Sequence, residues 1–198
     1  MKLVLASKSP RRSELLAQLG YQFDCIAADI DESVSGSESP GDYVKRLSCE
    51  KALAVANTLE KRQADNTLVL GSDTAVVVDN IILGKPIDLS DCQRMLTMLS
   101  GRCHQVITGI AVTHGREITS ELVVTEVSFK ELSPQEISRY WQTGEPQDKA
   151  GAYGIQGIGG QFVTGLRGSY SAVVGLPLYE TAQILLACGL PTQVQTNK

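Results

Sequence analysis

Between Thr67 and Val78 the chain reads Thr-Leu-Val-Leu-Gly-Ser-Asp-Thr-Ala-Val-Val-Val, an apolar, β-branched run with one carboxylate in its middle. Such a segment predicts a strand buried on both faces, so the rest of the chain must supply layers that cover it. Asp79-Asn80 then predicts a tight turn into Ile81-Ile82-Leu83. The carboxylate of Asp73 has two readings. Either the strand stops near Gly71-Ser72 and Asp73 lies in a turn, or Asp73 is buried and meets a cation, a metal or hydrogen-bond donors. An unpaired charge in such a strand is too costly to keep.

The covering elements carry clear boundary signals. Leu3 to Ala6 reads as a short buried strand, and Ser9 with Pro10 caps a helix to about Leu19 that Gly20 ends. Ser39-Pro40 opens a helix to about Arg62, and Ser133-Pro134 opens one to about Thr143. Ser90 to Leu99 reads as a helix closed by Gly101, and a last helix runs from near Pro177 to Cys188-Gly189. Gln105 to Thr113 and Ile118 to Lys130 form a hairpin around His114-Gly115. Residues 151 to 175 are dense in glycine, which permits close backbone approach to a ligand or several tight turns between short strands. These elements predict a mixed α/β (α+β) chain forming one domain over residues 1 to 198, with a polar tail after Pro191.

Composition removes several function classes. A net charge of -4 argues against a surface that coats nucleic acid, so any polyanion must be met by cations gathered locally. No run approaches the ~18 apolar residues of a membrane helix. The apolar start ends at Ser7, too early for an export signal, so a cytoplasmic protein is expected. The 5 cysteines are scattered without a C-x-x-C pair and read as reduced thiols, and the 2 histidines complete no familiar zinc spacing with them. Gly84-Lys85-Pro86 superficially resembles the end of a P-loop, but Pro86 stands where Ser or Thr is needed and Asp79 where the first glycine is needed. Gly154 to Gly160 lacks the dinucleotide order of glycines, and no G-x-S-x-G elbow is present. An enzyme with this sequence works through carboxylates, cations and a metal.

Three further charged places stand out. On the helix from Pro40, Val44, Leu47, Ser48 and Val55 form one stripe with Lys51 in its middle. That lysine either snorkels to water or extends its ammonium to an anion. Ser7-Lys8-Ser9-Pro10-Arg11-Arg12 joins a buried strand to a helix N-terminus, a place suited to phosphate; the alternative is a plain cap with surface arginines. Asp29-Ile30-Asp31-Glu32 is either a solvated acidic loop or a source of carboxylate for a divalent ion.

Together these places resemble the Maf family of nucleotide pyrophosphatases, over nearly the whole chain. The matching segments are Leu5 to Arg12, Asp31-Glu32, Arg46-Leu47, Glu50-Lys51-Ala52, Gly71-Ser72-Asp73-Thr74, Gly84-Lys85-Pro86, Ser100-Gly101, Asp148 to Gly157 and Val174 to Pro177. The resemblance implies an inosine-triphosphatase-like fold, with a long bent mixed sheet flanked by helices and a central cleft between two lobes. It implies hydrolysis of a nucleoside triphosphate between its α- and β-phosphates, a divalent cation (Mg2+ or Mn2+) as cofactor, and a homodimer. Asp73 falls on the family's proton acceptor, and Glu32 and Asp73 on its metal carboxylates. Lys51, Lys85, Arg11 and Arg12 fall on cations lining the phosphate site, with Ser7 and Ser9 as substrate-binding hydroxyls.

One branch of the family acts on dTTP and UTP, another on 7-methylguanosine triphosphate. The positions tied to that choice fall on Arg11, Thr74 and Gln156, and the residues here resemble the dTTP/UTP branch. A glutamine amide offers a donor and an acceptor to a pyrimidine's carbonyl and imide N–H, whereas a cationic methylated purine favours a carboxylate and a stacking aromatic. The alternatives are the methylguanosine branch and a nucleotide-binding regulator of cell division without turnover.

Overall fold

The computed structural model describes residues 1–59, 66–115 and 117–195. Its strands are β1 (Lys2–Leu5), β2 (Asp24–Cys25), β3 (Thr67–Val78), β4 (Ile81–Leu83), β5 (Cys103–His114), β6 (Glu117–Phe129) and β7 (Val163–Arg167). Its helices are α1 (Pro10–Gln18), α2 (Pro40–Ala56), α3 (Leu89–Leu99), α4 (Pro134–Gln142), α5 (Tyr170–Val174) and α6 (Leu178–Ala187). The strands form a 7-stranded mixed sheet in the order β2-β1-β3-β5-β6-β7, with β4 on β3. β1 runs parallel to β2 and β3, whereas β3–β4 and β6–β7 are antiparallel. Among the described residues no helix is long and apolar enough to cross a membrane.

By its contacts the chain divides into two compact units. The first holds Met1–Asp73, Thr108–Val123 and Gly175–Lys198. Its sheet centre pairs Val4 with Val69 and Leu5 with Leu70, and α2 covers it with Val44, Leu47, Ala52 and Val55. Two glycines set the height of that helix. A Cβ on Gly71 would come 2.2 Å from the carbonyl oxygen of Ser48, and one on Gly109 3.0 Å from that of Val44. Glycine at both places therefore lets the helix backbone approach the strands directly.

The second unit, Thr74–Ile107 with Val124–Val174, has its own core of Val76, Leu96, Val127, Phe129, Tyr140, Tyr153 and their neighbours. Asp79 and Asn80 adopt φ of 52° and 62°, the left-handed pair that a two-residue hairpin turn requires, and so join β3 to β4 as expected.

Most boundaries fall where capping residues put them. Ser39 and Ser133 accept the backbone N–H of Asp42 and Glu136, and Gly20 and Gly101 adopt positive φ after their helices. Two expectations are corrected. α2 stops at Ala56, where Asn57 caps it, rather than near Arg62, which lies outside the described residues. Ser9 holds the cap position of α1 but makes no side-chain cap bond; its own N–H donates instead to Oγ of Ser7 at 3.1 Å. In the polar segment after Pro191, as far as residue 195, Gln193 lies against Gly20 and the N–H of Thr192 donates to Oε1 of Gln195 at 3.0 Å.

Candidate active site

Asp73 lies inside β3, not in a turn, since the strand continues without a break from Thr67 to Val78. It is 7% exposed and Lys51 8%, so the stripe on α2 buries its lysine's charged end instead of sending it to water. The close approach of α2 at Gly71 gives the physical reason. Lys51 stands one turn beyond Leu47 and above the strand, and its Nζ reaches Oδ1 of Asp73 at 2.7 Å. The same Nζ meets Oε1 of Glu32 at 2.6 Å. One ammonium thus joins a buried carboxylate to one whose side chain is 56% exposed.

Burial dominates the electrostatics of Asp73. Burial pushes its carboxyl above the ordinary aspartate range; Lys51 and Arg12 pull it down without cancelling the rise, and Glu32 adds to it. A buried carboxylate that binds a proton more tightly than usual, yet is held by cations, can take a proton from water near neutral pH. Arg12 is anchored from the other side of the chain, its Nε donating to the carbonyl of Gly175 at 2.9 Å. The buried hydroxyl of Ser72 donates to the same carbonyl at 3.0 Å, which fixes the strand next to Asp73. Burial holds the guanidinium of Arg12 below its ordinary value, with Asp73 opposing that shift.

Sequence reasoning missed how Glu32 is held. Tyr43 donates its hydroxyl to the backbone carbonyl of Glu32 at 2.9 Å. Arg46 grips Oε1 and Oε2 of Glu38 at 2.6 and 2.9 Å, donates to the carbonyl of Ser33 at 3.0 Å, and lies over the ring of Tyr43. Glu38 is held at a pKa of about 2, first by that arginine and then by the N–H of Ser35. Tyr43 is pushed up to about 12 by burial and by the charges of Asp73 and Glu32. A polar stripe at Tyr43, Arg46 and Glu50, with helical spacing of three and four, was the available signal.

Ser7 is buried and Ser9 half-buried at the start of α1, with Arg11 and Arg12 half-buried in its first turn. The structure therefore brings Asp73, Lys51, Glu32 and Arg12 together in the first unit. Thr74, Lys85 and Gln156 belong to the second: Thr74 is the next residue of β3, Lys85 follows β4 exposed, and Gln156 is exposed in the glycine-rich segment. A cavity of about 400 Å³ in the second unit is lined by His104, Asp79 and Glu126 among others, and contains none of the predicted site residues. Burial holds His104 there at a pKa of about 4, neutral at physiological pH.

A divalent ion fits the first-unit site on its donor chemistry. Asp73 and Glu32 supply hard carboxylate oxygens, and the ammonium between them shows that the two can share one cation. Among the described residues no group of three or more His, Cys, Asp or Glu side chains gathers to hold a metal. Two carboxylates completed by phosphate and water oxygens is the common arrangement for magnesium.

A sequence model of the family described as Maf-like protein matches residues 2–188. A Colwellia psychrerythraea protein named dTTP/UTP pyrophosphatase is 55% identical over 99% of this chain and 92% of its own length. A Vibrio cholerae protein of the same name is 58% identical over 93% of this chain and 96% of its own. Among solved structures, the Staphylococcus aureus Ham1 protein is similar over 65% of this chain and 72% of its own, at 14% identity and a TM-score of 0.47.

Proposed function

This chain belongs to the Maf-like protein family, and on that premise we propose that it hydrolyses dTTP and UTP to the monophosphate and pyrophosphate. The observation that carries the reading is Asp73, a buried carboxylate raised above its ordinary range and linked through one ammonium to Glu32. Asp73 is the proton acceptor: it takes a proton from the water whose oxygen bonds to the α-phosphorus, while the bridging oxygen leaves with pyrophosphate.

Asp73 and Glu32 would hold a divalent cation, Mg2+ or Mn2+, which supplies Lewis-acid charge to the phosphates. Arg11, Arg12, Lys51 and Lys85 offset the charge of the triphosphate, and the hydroxyls of Ser7 and Ser9 with the first turn of α1 bind phosphate oxygens. Arg11, Thr74 and Gln156 select the base, Gln156 through its paired donor and acceptor. The roles of Lys85, Thr74 and Gln156 rest on the family resemblance and the sequence match. We also propose one domain, on the chain's length, a cytoplasmic setting, which its free cysteines suit, and a homodimer on the family resemblance.

The deciding experiment compares kcat/KM for dTTP, UTP and 7-methylguanosine triphosphate with Mg2+ or Mn2+, reading monophosphate and pyrophosphate. Preference for the two pyrimidines is expected. Faster turnover of the methylated purine puts the chain in the other branch. Turnover no higher than that of an Asp73→Asn control makes it a binder rather than an enzyme.

A further inference from the structure

The glycine-rich segment wraps two polar side chains of its own unit. The carboxylate of Glu145 accepts three hydrogen bonds: Tyr140 OH to Oε1 at 2.7 Å, the Gly159 N–H to Oε1 at 2.9 Å, and the Ile158 N–H to Oε2 at 2.8 Å. The Tyr140 oxygen in turn accepts the N–H of Gly154 at 3.2 Å. Gln156 stands between these anchor points, with its side chain exposed. The loop passes so close that side chains are excluded. A Cβ at Gly157 would lie 2.3 Å from Oε2 of Glu145, and one at Gly159 2.5 Å from the Tyr140 hydroxyl.

We infer that Glu145 and Tyr140 are positioning residues for base selection, anchoring on both flanks the loop that presents Gln156 to the nucleotide base. The inference rests on the assignment of base reading to Gln156. The Glu145 carboxylate stays ionised: burial raises its pKa, but the N–H of Gly159, the Tyr140 hydroxyl and the N–H of Ile158 outweigh that and bring it below its ordinary value. An ionised carboxylate only accepts, so it suits a loop that offers several N–H donors in succession. Tyr140 is 2% exposed and packed edge-on against Phe162, so its hydroxyl cannot swing away from this pair. A loop pinned on both sides of the reading residue holds the amide in place before the base arrives. Its hydrogen bonds then discriminate without loss to ordering.

The test uses the intact protein and four chains: wild type, Tyr140→Phe, Gln156→Ala and the double variant. Tyr140→Phe keeps the ring in the core and is expected to lower kcat/KM for dTTP and UTP by about two- to tenfold, the share of one hydrogen bond. The loss is expected in KM more than in kcat, because the loop positions a group that binds the base. The double variant is expected to fall no further than Gln156→Ala alone, as for residues acting through one group. A loss confined to kcat, or independent losses that multiply in the double variant, would overturn the inference. In Glu145→Gln, amide hydrogen exchange at Ile158 and Gly159 is expected to quicken, and unchanged exchange there also overturns it. If Gln156→Ala itself retains full selectivity for dTTP, the failure lies in the assignment of base reading to Gln156, and the hydrogen-exchange result stands apart from it.

Discussion

Lys51 Nζ lies 2.7 Å from Oδ1 of Asp73 inside the first unit, and both residues are almost wholly removed from water. Burying a charge pair normally gains little stability, because desolvation consumes most of the attraction. Asp73 fits that pattern, since burial keeps its carboxyl raised even with Lys51 and Arg12 nearby. Folded Asp73 therefore binds a proton more tightly than the unfolded chain does. Between the ordinary aspartate range and the raised folded value, stability falls as pH rises.

Asp73→Asn removes that cost together with the proposed base. The expected result is loss of dTTP turnover by about 10²–10⁴-fold or more. Because Lys51 keeps Glu32 as a partner at 2.6 Å, Tm at neutral pH is expected to match or exceed that of wild type, with the difference shrinking as pH drops below the aspartate range. Thermal unfolding across pH, beside pyrophosphate release, checks both. A variant several degrees less stable than wild type at neutral pH would contradict the reading of Asp73 as a strained base.

Lys51→Met leaves Asp73 and Glu32 without their shared cation. Breaking a buried pair in this way costs about 3–5 kcal/mol, so Tm should drop clearly at neutral pH. Because Lys51 is the largest influence lowering the Asp73 pKa, the acid limb of the pH–rate profile should move to higher pH in any residual activity. A divalent ion seated by the same carboxylates would stabilise the variant by mass action. Millimolar Mn2+ is therefore expected to raise the variant's Tm more than that of wild type. Equal shifts in the two would argue that Asp73 and Glu32 do not share a metal.

Much of this was legible in the sequence, for stated reasons. The β-branched run marked the strand and the stripe of α2 marked Lys51, but each left two readings open, and only the unbroken strand and the Lys51–Asp73 contact decide between them. Caps at Ser39 and Ser133 fixed two helix starts. What could not be read was distance across the fold. Nothing local says that Gly71 admits the helix backbone, that Arg46 reaches back to Glu38, or that Gly157 and Gly159 make room for Glu145 and Tyr140. The glycine-rich segment was open to two readings, ligand approach or tight turns. Its 3-10 turns, such as Ile158–Phe162, and its contacts with Glu145 show that its glycines make room for the protein's own side chains.

Arg46 offers a separate test of how Glu32 is held. Its fork bonds both oxygens of Glu38 and the carbonyl of Ser33, while Tyr43 bonds the carbonyl of Glu32 itself. Arg46→Lys loses the two-pronged contact that only a guanidinium makes, so a lysine is not expected to rescue function. Freeing the segment that carries Glu32 should raise the metal concentration for half-maximal activity by roughly three- to tenfold, about one hydrogen bond's worth or somewhat more. Tyr43→Phe should give a smaller shift in the same direction. Titration of dTTP turnover with Mn2+ decides it; a fall in kcat with an unchanged metal requirement would detach Arg46 from Glu32.

Gly71 carries the last prediction, because it links the packing of α2 to the chemistry at Asp73. A methyl at this position would stand 2.2 Å from the carbonyl of Ser48 and 2.7 Å from the backbone nitrogen of Ala52. Neither is a flexible side-chain end, so the helix must lift. Overpacking of this kind costs about 1–3 kcal/mol. Lys51 follows Glu50 on the same helix, and lifting it draws the ammonium away from Asp73. Gly71→Ala should therefore lose both stability and kcat, and the acid limb of its pH–rate profile should rise as the cation withdraws. Gly165→Ala is the control, since its nearest neighbour is Cβ of Ser128 at 3.9 Å, an ordinary contact. If Gly71→Ala unfolds at the wild-type temperature with its pH profile unmoved, close helix approach is not what brings Lys51 to Asp73.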